Sequence, residues 1–273
     1  MKTEIAVILC IYFGFCALEF IKSGFFNKEN QRTKDAVVEI ISTLCLLVIT
    51  QPAILLFTHA GMKMFLPEYE GAWTHWPILI QFGMFLVFDD MVQYWWHRAS
   101  HRFPTLYNLH RPHHDAQYMS VRIVYRNNIF YYALMPGIWF SAVLIYMGFG
   151  WVYAFYLVIK LTVIIGAHSD VRWDEPLYRI GWLSPIMWVV ERVISTPSTH
   201  SAHHGMHAND GVTNYKGNYG NLLFFWDVLF GTAKITRKYP SKFGVENLKE
   251  VSAAHQLMWP LWRDKSEQQS TPD

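Results

Sequence analysis

Three histidine clusters carry most of the chemistry legible in this 273-residue chain: His97-x-x-x-His101, His110-x-x-His113-His114 and His200-x-x-His203-His204. Histidine is the commonest metal ligand, and neutral imidazole suits transition metals. Residues three and four apart share a helix face, so each cluster aims two or three rings at one point. Eight imidazoles exceed what one mononuclear metal can use, whereas a pair of metals accommodates them. His168 has no cluster of its own but falls at the end of an apolar run, and is expected as a ninth ligand. The expected catalytic and metal-ligating set is therefore His97, His101, His110, His113, His114, His168, His200, His203 and His204.

Nitrogen ligation with few carboxylates suits iron, copper, zinc or nickel by affinity. A catalytic role needs redox chemistry, which excludes zinc as the working metal, although isolated protein could carry it. Two irons could activate O2 and attack an unactivated C–H bond. Asp90, Tyr94, His97 and His101 follow one another at spacings of +4, +3 and +4, a single stripe on a helix. Asp90 could accept the second N–H of a ligating imidazole; the alternative is that Asp89 and Asp90 face headgroup water. Asp170 could hold a water or stand behind the ligands. His207 lies in a Gly/Asn/Asp-rich stretch and is left out of the set, as are His59, His75 and His255.

These residues must be held by local structure. In the second cluster, Pro112 predicts a helix beginning near Arg111, with His113 and His114 in its first turn. In the third, Thr196 can cap a helix and Pro197 fits its first position.

The scaffold around them reads as membrane-embedded. Charged residues make up only 16% and aromatics 17%, against the usual quarter charged. A net charge of +2 with no basic stripe excludes nucleic-acid binding. Cys10, Cys16 and Cys45 all lie in apolar segments, without the spacing of a disulfide framework or zinc ribbon. A bilayer crossing takes about 20 apolar residues. Ile5–Ile21, Val37–Thr58 and Pro77–Trp96 qualify, the first as an anchor helix. Ile129–His168 carries one charge, Lys160, and reads as a helical hairpin turning at Gly148-Phe149-Gly150. Lys160 either snorkels or pairs with an inward partner such as Asp89.

Lys22, Lys28, Arg32 and Lys34 crowd the first loop, whereas the second has Lys63 against Glu68 and Glu70. By the positive-inside rule all three clusters and His168 then meet on the cytoplasmic face. The expected fold is an all-α integral membrane bundle of about four to five spans, with a cytoplasmic-face helical cap carrying a dinuclear site. Trp182–Ile194 is too short to span and reads as an interfacial helix. Residues 1–76 are expected as membrane anchor spans, 77–233 as the catalytic domain and 234–273 as a polar tail.

The three boxes resemble those of the fatty acid hydroxylase superfamily, which includes sterol desaturases, sphingolipid hydroxylases and alkylglycerol monooxygenases. The tract Thr196-Pro197-Ser198-Thr199-His200, then Asn218-Tyr219-Gly220, Phe225-Trp226-Asp227 and Leu229-Phe230-Gly231-Thr232, is similar to the superfamily's C-terminal signature. His168-Ser169-Asp170 is similar to its isolated His-x-Asn element, with Asp in place of Asn. The resemblance covers residues from about 80 to 233. It implies a non-haem di-iron, O2-dependent membrane oxidoreductase that hydroxylates a lipid C–H bond, acyl, sterol or ether lipid, in a bacterial inner membrane or endoplasmic reticulum. Desaturation at the same site is the alternative. A histidine-rich metal transporter or store is a different class, but it needs histidines along the spans, not beyond their ends. The chain shows no cytochrome b5-like module, flavin fingerprint or ferredoxin cysteines, so a separate electron-donor protein of the ferredoxin, cytochrome b5 or reductase type is expected.

Overall fold

The structure, a computed structural model, describes residues 2–264. The described residues are mostly helical and form no strand, with one isolated bridge between Gly205 and Phe243. Helix α1 (Lys2–Lys22) is followed by the long α2 (Thr33–Phe65), whose middle winds more widely at Cys45–Thr50. Helix α3 covers residues 78–102, again with a widened turn at Leu86–Met91, and α4 is Pro104–His114. Then come α5 (Pro136–Leu144), α6 (Gly150–His168), α7 (Ser184–Val193), α8 (Pro197–His203) and α9 (Ala253–Met258), with shorter helical turns between them.

Two stretches, Thr33–Phe65 and Pro136–His168, are long and apolar enough to cross a membrane. The outward faces of α1 and α2 are apolar and exposed, with Phe13, Phe20, Ile40, Val48, Leu56 and Phe57 all at least 59% accessible. A surface of that composition is stable against hydrocarbon rather than water. This is a membrane protein. The second apolar stretch is not one straight rod: Gly148 breaks it with φ 115° and ψ 5°, a conformation open to glycine. Gly71 N and Trp73 N donate to Tyr146 O and Met147 O at 3.0 and 2.9 Å, fastening the preceding loop to this turn. The expected hairpin is thus present, but its first arm is short. At about 1.5 Å per residue, Pro136 to Gly148 reaches roughly 20 Å of a roughly 30 Å core.

Helix α6 is the central strut, packed by α1, α3 and α8. Its Lys160 Nζ lies 2.6 Å from Asp89 Oδ2 on α3, and Tyr156 donates to the same oxygen at 2.8 Å. The pair is therefore internal, and Lys160 does not snorkel. Helix α5 approaches this pair so closely that a Cβ at Gly137 would lie 2.9 Å from Asp89 Oδ1.

The expected polar tail behaves differently as far as it is described, while residues 265–273 lie outside the described part. Gln256 on α9 is buried, accepts from Arg126 at 3.1 Å and donates to Asp115 at 2.8 Å. Arg126 in turn pairs with Asp35 at 2.8 Å, and Arg32 with Asp115 at 2.8 Å. Residues near the C-terminus thereby seal a buried ionic cluster next to His113 and His114. A short helix, α7, forms within the stretch Trp182–Ile194, with Trp188 and Val189 exposed and Met187 and Glu191 buried.

Candidate metal centre

The nine expected imidazoles come from four helix ends. His97 and His101 lie on the last turns of α3; His110, His113 and His114 on α4; His168 ends α6; His200 and His203 lie on α8, with His204 just after it. Helix α8 starts as its sequence dictates: Pro197 occupies the first turn, and Thr196 and Thr199 exchange side-chain-to-backbone hydrogen bonds. Helix α4 differs from expectation. It begins at Pro104 and runs through Pro112, so His113 and His114 occupy its last turn. Proline is tolerated there because only one internal hydrogen bond is lost near the end, and Asp115 N closes the turn on Arg111 O at 2.8 Å.

The rings sort into two groups. His97, His101, His110, His114 and His203 form one, and His113, His168, His200 and His204 the other; within each, one nitrogen per ring lies within 4.8 Å of all the rest. The groups abut: the rings of His114 and His204 stack with centroids 4.5 Å apart. Eight of the nine rings are buried, and His101 is half-buried.

Hydrogen bonding decides which nitrogen faces inward. His97 Nδ1 lies 2.7 Å from Tyr219 O, His203 Nδ1 2.7 Å from Gly217 O, His113 Nδ1 3.0 Å from Ile123 O, and His168 Nδ1 2.8 Å from Ile164 O. A carbonyl only accepts, so each Nδ1 carries the proton and each Nε2 a lone pair. His110 Nδ1 is held likewise by Asn127 Oδ1 at 2.8 Å, the Asn127 amide donating onward to Tyr132 at 3.0 Å. Lone pairs then face each other: His97 and His203 Nε2 are 3.0 Å apart, and His113 and His168 Nε2 3.3 Å. Without a cation such pairs repel. Ligands about 2.1 Å from a metal lie about 3.0–3.4 Å from one another in octahedral or tetrahedral geometry, the spacing observed. His101 Nε2 is buried without a protein partner, and His200 Nε2 faces His168 Nε2 at 2.9 Å and His204 Nε2 at 3.2 Å. The donor set therefore fits two transition-metal ions.

Burial first, and neighbouring imidazoles second, push His113, His200 and His204 well below the usual histidine range. The rings are neutral at physiological pH, the form that binds metal.

A cavity of about 570 Å³ leads to this centre from the apolar part of the molecule. Ile8 and Phe13 of α1, Leu46 of α2, and Leu157 and Leu161 of α6 wall it, and it reaches His97 and His110 of one group and His113 and His168 of the other.

Residues 82–232 match the family model for fatty acid hydroxylase. The chain belongs to the fatty acid hydroxylase family. It is 28% identical over 172 residues to an alkylglycerol monooxygenase of Danio rerio, covering 60% of this chain and 31% of that protein. It is 28% identical over 211 residues to an alkylglycerol monooxygenase of Homo sapiens, covering 73% and 40%. A very-long-chain aldehyde decarbonylase of Oryza sativa subsp. indica is 24% identical over 201 residues, covering 67% and 61%. The chain thus spans well under half the length of these alkylglycerol monooxygenases. No solved structure matches it.

Three other expected site residues have different partners. Asp90 does not touch an imidazole; it accepts from Leu222 N, Leu223 N and Trp226 Nε1 at 3.3, 3.1 and 2.8 Å. Tyr94 bonds Thr232 Oγ1 at 3.0 Å. Both fasten the 217–232 loop, whose Gly217 and Tyr219 carbonyls hold His203 and His97, so they act on the rings through that loop. Asp227 closes it by accepting from Tyr219 N and Gly220 N at 2.8 and 2.6 Å. Asp170 pairs with Lys28 at 2.9 Å, away from the ligands. His207 is partly exposed, 3.4 Å from Glu246, and belongs to neither group. His59, His75 and His255 also lie outside both groups.

Two contributors escaped the sequence reading. Asn127 was one. Glu19 was the other: buried on α1, it accepts from Ser120 Oγ at 2.7 Å and from Val121 N, Ser169 Oγ and Asp170 N at 3.0 Å each. The first helix, whose span reads from sequence as an extra anchor or an interaction helix, grips the residue after His168. An acidic residue inside an apolar span was the available signal.

Proposed function

We propose that this protein is an O2-dependent di-iron membrane oxidoreductase that hydroxylates a lipid C–H bond, with the nine imidazoles as its ligands. The observation that carries this reading is the apolar cavity ending on rings of both histidine groups. A substrate lying in it would present one carbon to both metals at once. The similarity to alkylglycerol monooxygenases supports a lipid as substrate.

Two bound irons would supply the reductive activation of O2 that attack on an unactivated C–H bond requires. The residues do the rest. His97, His110, His113, His168 and His203 are fixed in one tautomer by the acceptors behind them, which holds the ligand field in place. The leucine, isoleucine and phenylalanine walls exclude water and align the chain against the rings. His101 does not line the apolar cavity but a second one, with Arg98, Arg102 and Lys216. Electrons come from a separate donor protein. The centre faces the cytoplasm, by the distribution of basic loop residues, and the chain crosses or enters the bilayer through α1, α2, α3 and the Gly148 hairpin.

Lipid extracts of cells expressing the wild type and His203→Ala, compared by mass spectrometry, test the reading. A lipid that gains one oxygen atom only with the wild type supports it; loss of two hydrogens instead identifies a desaturase. Identical extracts despite full iron loading contradict it.

A further inference from the structure

Among the nine candidate ligand rings only His101 is half-buried; the rest are buried. It lines two adjoining recesses of about 680 and 370 Å³, which share His101, Arg102, Phe103 and Lys216. Neither has a lining residue in common with the apolar cavity, so a molecule seated there does not displace a lipid. The larger recess is lined by three cations, Arg98, Arg102 and Lys216, and by no acidic residue among those described. Arg98 donates to Tyr94 at 3.1 Å and lies over the Trp95 ring, and Lys216 lies over the Tyr215 ring. Among the described residues none of the three cations is in an ion pair. The smaller recess adds one acid, Glu246, which stands 3.4 Å from His207. Arg102 and Lys216 are exposed, and so are Trp95, Phe103 and Tyr215 beside them. Unpaired like charges among exposed aromatic rings suit a contact surface for an acidic partner.

We propose that an acidic one-electron carrier protein docks on this basic recess and passes electrons to the dinuclear centre through His101. This rests on the centre being the site of lipid oxidation. Each lipid hydroxylated takes up two electrons and two protons. One atom of O2 enters the C–H bond, the other leaves as water, and two carrier molecules lose one electron each. Electron transfer falls off steeply with distance, so the carrier belongs where a ligand comes nearest the surface. Tyr219 shortens the way further. It lines the same recess, and its ring lies 5.4, 5.5 and 5.6 Å from those of His101, His97 and His203. Its carbonyl accepts from His97 Nδ1 at 2.7 Å. An anionic lipid headgroup would meet the same cations, but it brings no electrons to a recess that ends on a ligand.

The test is binding and oxidation of a plant-type ferredoxin, an acidic one-electron carrier, by iron-loaded protein in uncharged detergent, with basic cytochrome c as the contrast. The wild type should bind ferredoxin more tightly than cytochrome c at low salt, and ferredoxin affinity should fall as salt rises. Arg102→Glu and Lys216→Glu lie on different segments. Each should weaken ferredoxin binding about three- to tenfold and slow the anaerobic oxidation of reduced ferredoxin in step. Arg179→Glu, the same charge change at an exposed residue outside both recesses, should do neither. Dithionite should reduce the iron of every variant equally, which reports an intact centre. Equal affinity of the wild type for the two carriers, or wild-type ferredoxin binding in both Arg102→Glu and Lys216→Glu, overturns the proposal. So does a loss confined to binding of dihexanoyl phosphatidylglycerol, which would make the recess a headgroup site. The wild-type comparison stands alone if neither variant folds. Lipid oxidation in cells without discrimination between the carriers would overturn the docking site and leave the oxidation reading intact. Ferredoxin bound and oxidised, with unchanged lipid extracts, would keep the docking site and remove the lipid as substrate.

Discussion

Replacing Asn127 with leucine isolates one support of the metal centre. Of the five imidazoles held through Nδ1, four lean on backbone carbonyls that no substitution removes; His110 alone leans on a side chain, at 2.8 Å. In Asn127→Leu the buried N–H of His110 either stays unpaired, at about 1–3 kcal/mol, or moves to Nε2 and blocks the ligand atom. Since 1.4 kcal/mol is about a factor of ten, iron at the His97 group should be held roughly 10–100-fold more weakly, the usual effect of removing such an outer partner. Asn127 also donates to Tyr132 at 3.0 Å, so Tyr132→Phe removes that half alone and should change retention by less than about threefold. The assay is iron remaining per chain during titration with a competing chelator. Wild-type retention in Asn127→Leu, or an equal loss in Tyr132→Phe, would refute the reasoning.

Lys160→Met leaves the Asp89 carboxylate buried without its cation, a change worth about 3–5 kcal/mol; the apparent melting temperature in detergent should drop by on the order of 10 °C. Adding Asp89→Leu should restore at least half of the loss, and purely additive effects would show that the two do not interact. Glu19→Gln weakens four hydrogen bonds to a carboxylate, and should lower iron at the His168 group while the protein still inserts; unchanged iron content would reduce α1 to an anchor. His207→Ala should keep substantial lipid oxidation, and complete loss with metal depletion would move His207 into the ligand set.

Much of the site was legible because its determinants are side-chain types at fixed spacing. Imidazoles at i, i+3 and i+4 share a face whatever the tertiary context, and the apolar runs and the Gly148 turn mark helices by length alone. Other features left no such trace. The Nδ1 acceptors at Ile123, Ile164, Gly217 and Tyr219 are carbonyls, which every residue type offers. Asp90 had the right spacing to reach His97, but the peptide groups and indole of residues 222–226 compete for its oxygens and win. Pro112 suggested a helix start because proline usually stands there, whereas α4 absorbs it in its last turn. Glu19 meets Ser169 across 150 residues of chain, a contact that local pattern does not encode.

Iron counted per chain by elemental analysis, in protein purified without oxygen and without added zinc, tests the central claim most directly. Two irons are expected in the wild type, with both His203→Ala, in one group, and His200→Ala, in the other, falling clearly below two. One iron or none in the wild type, or two in both variants, would contradict a dinuclear centre built from these histidines.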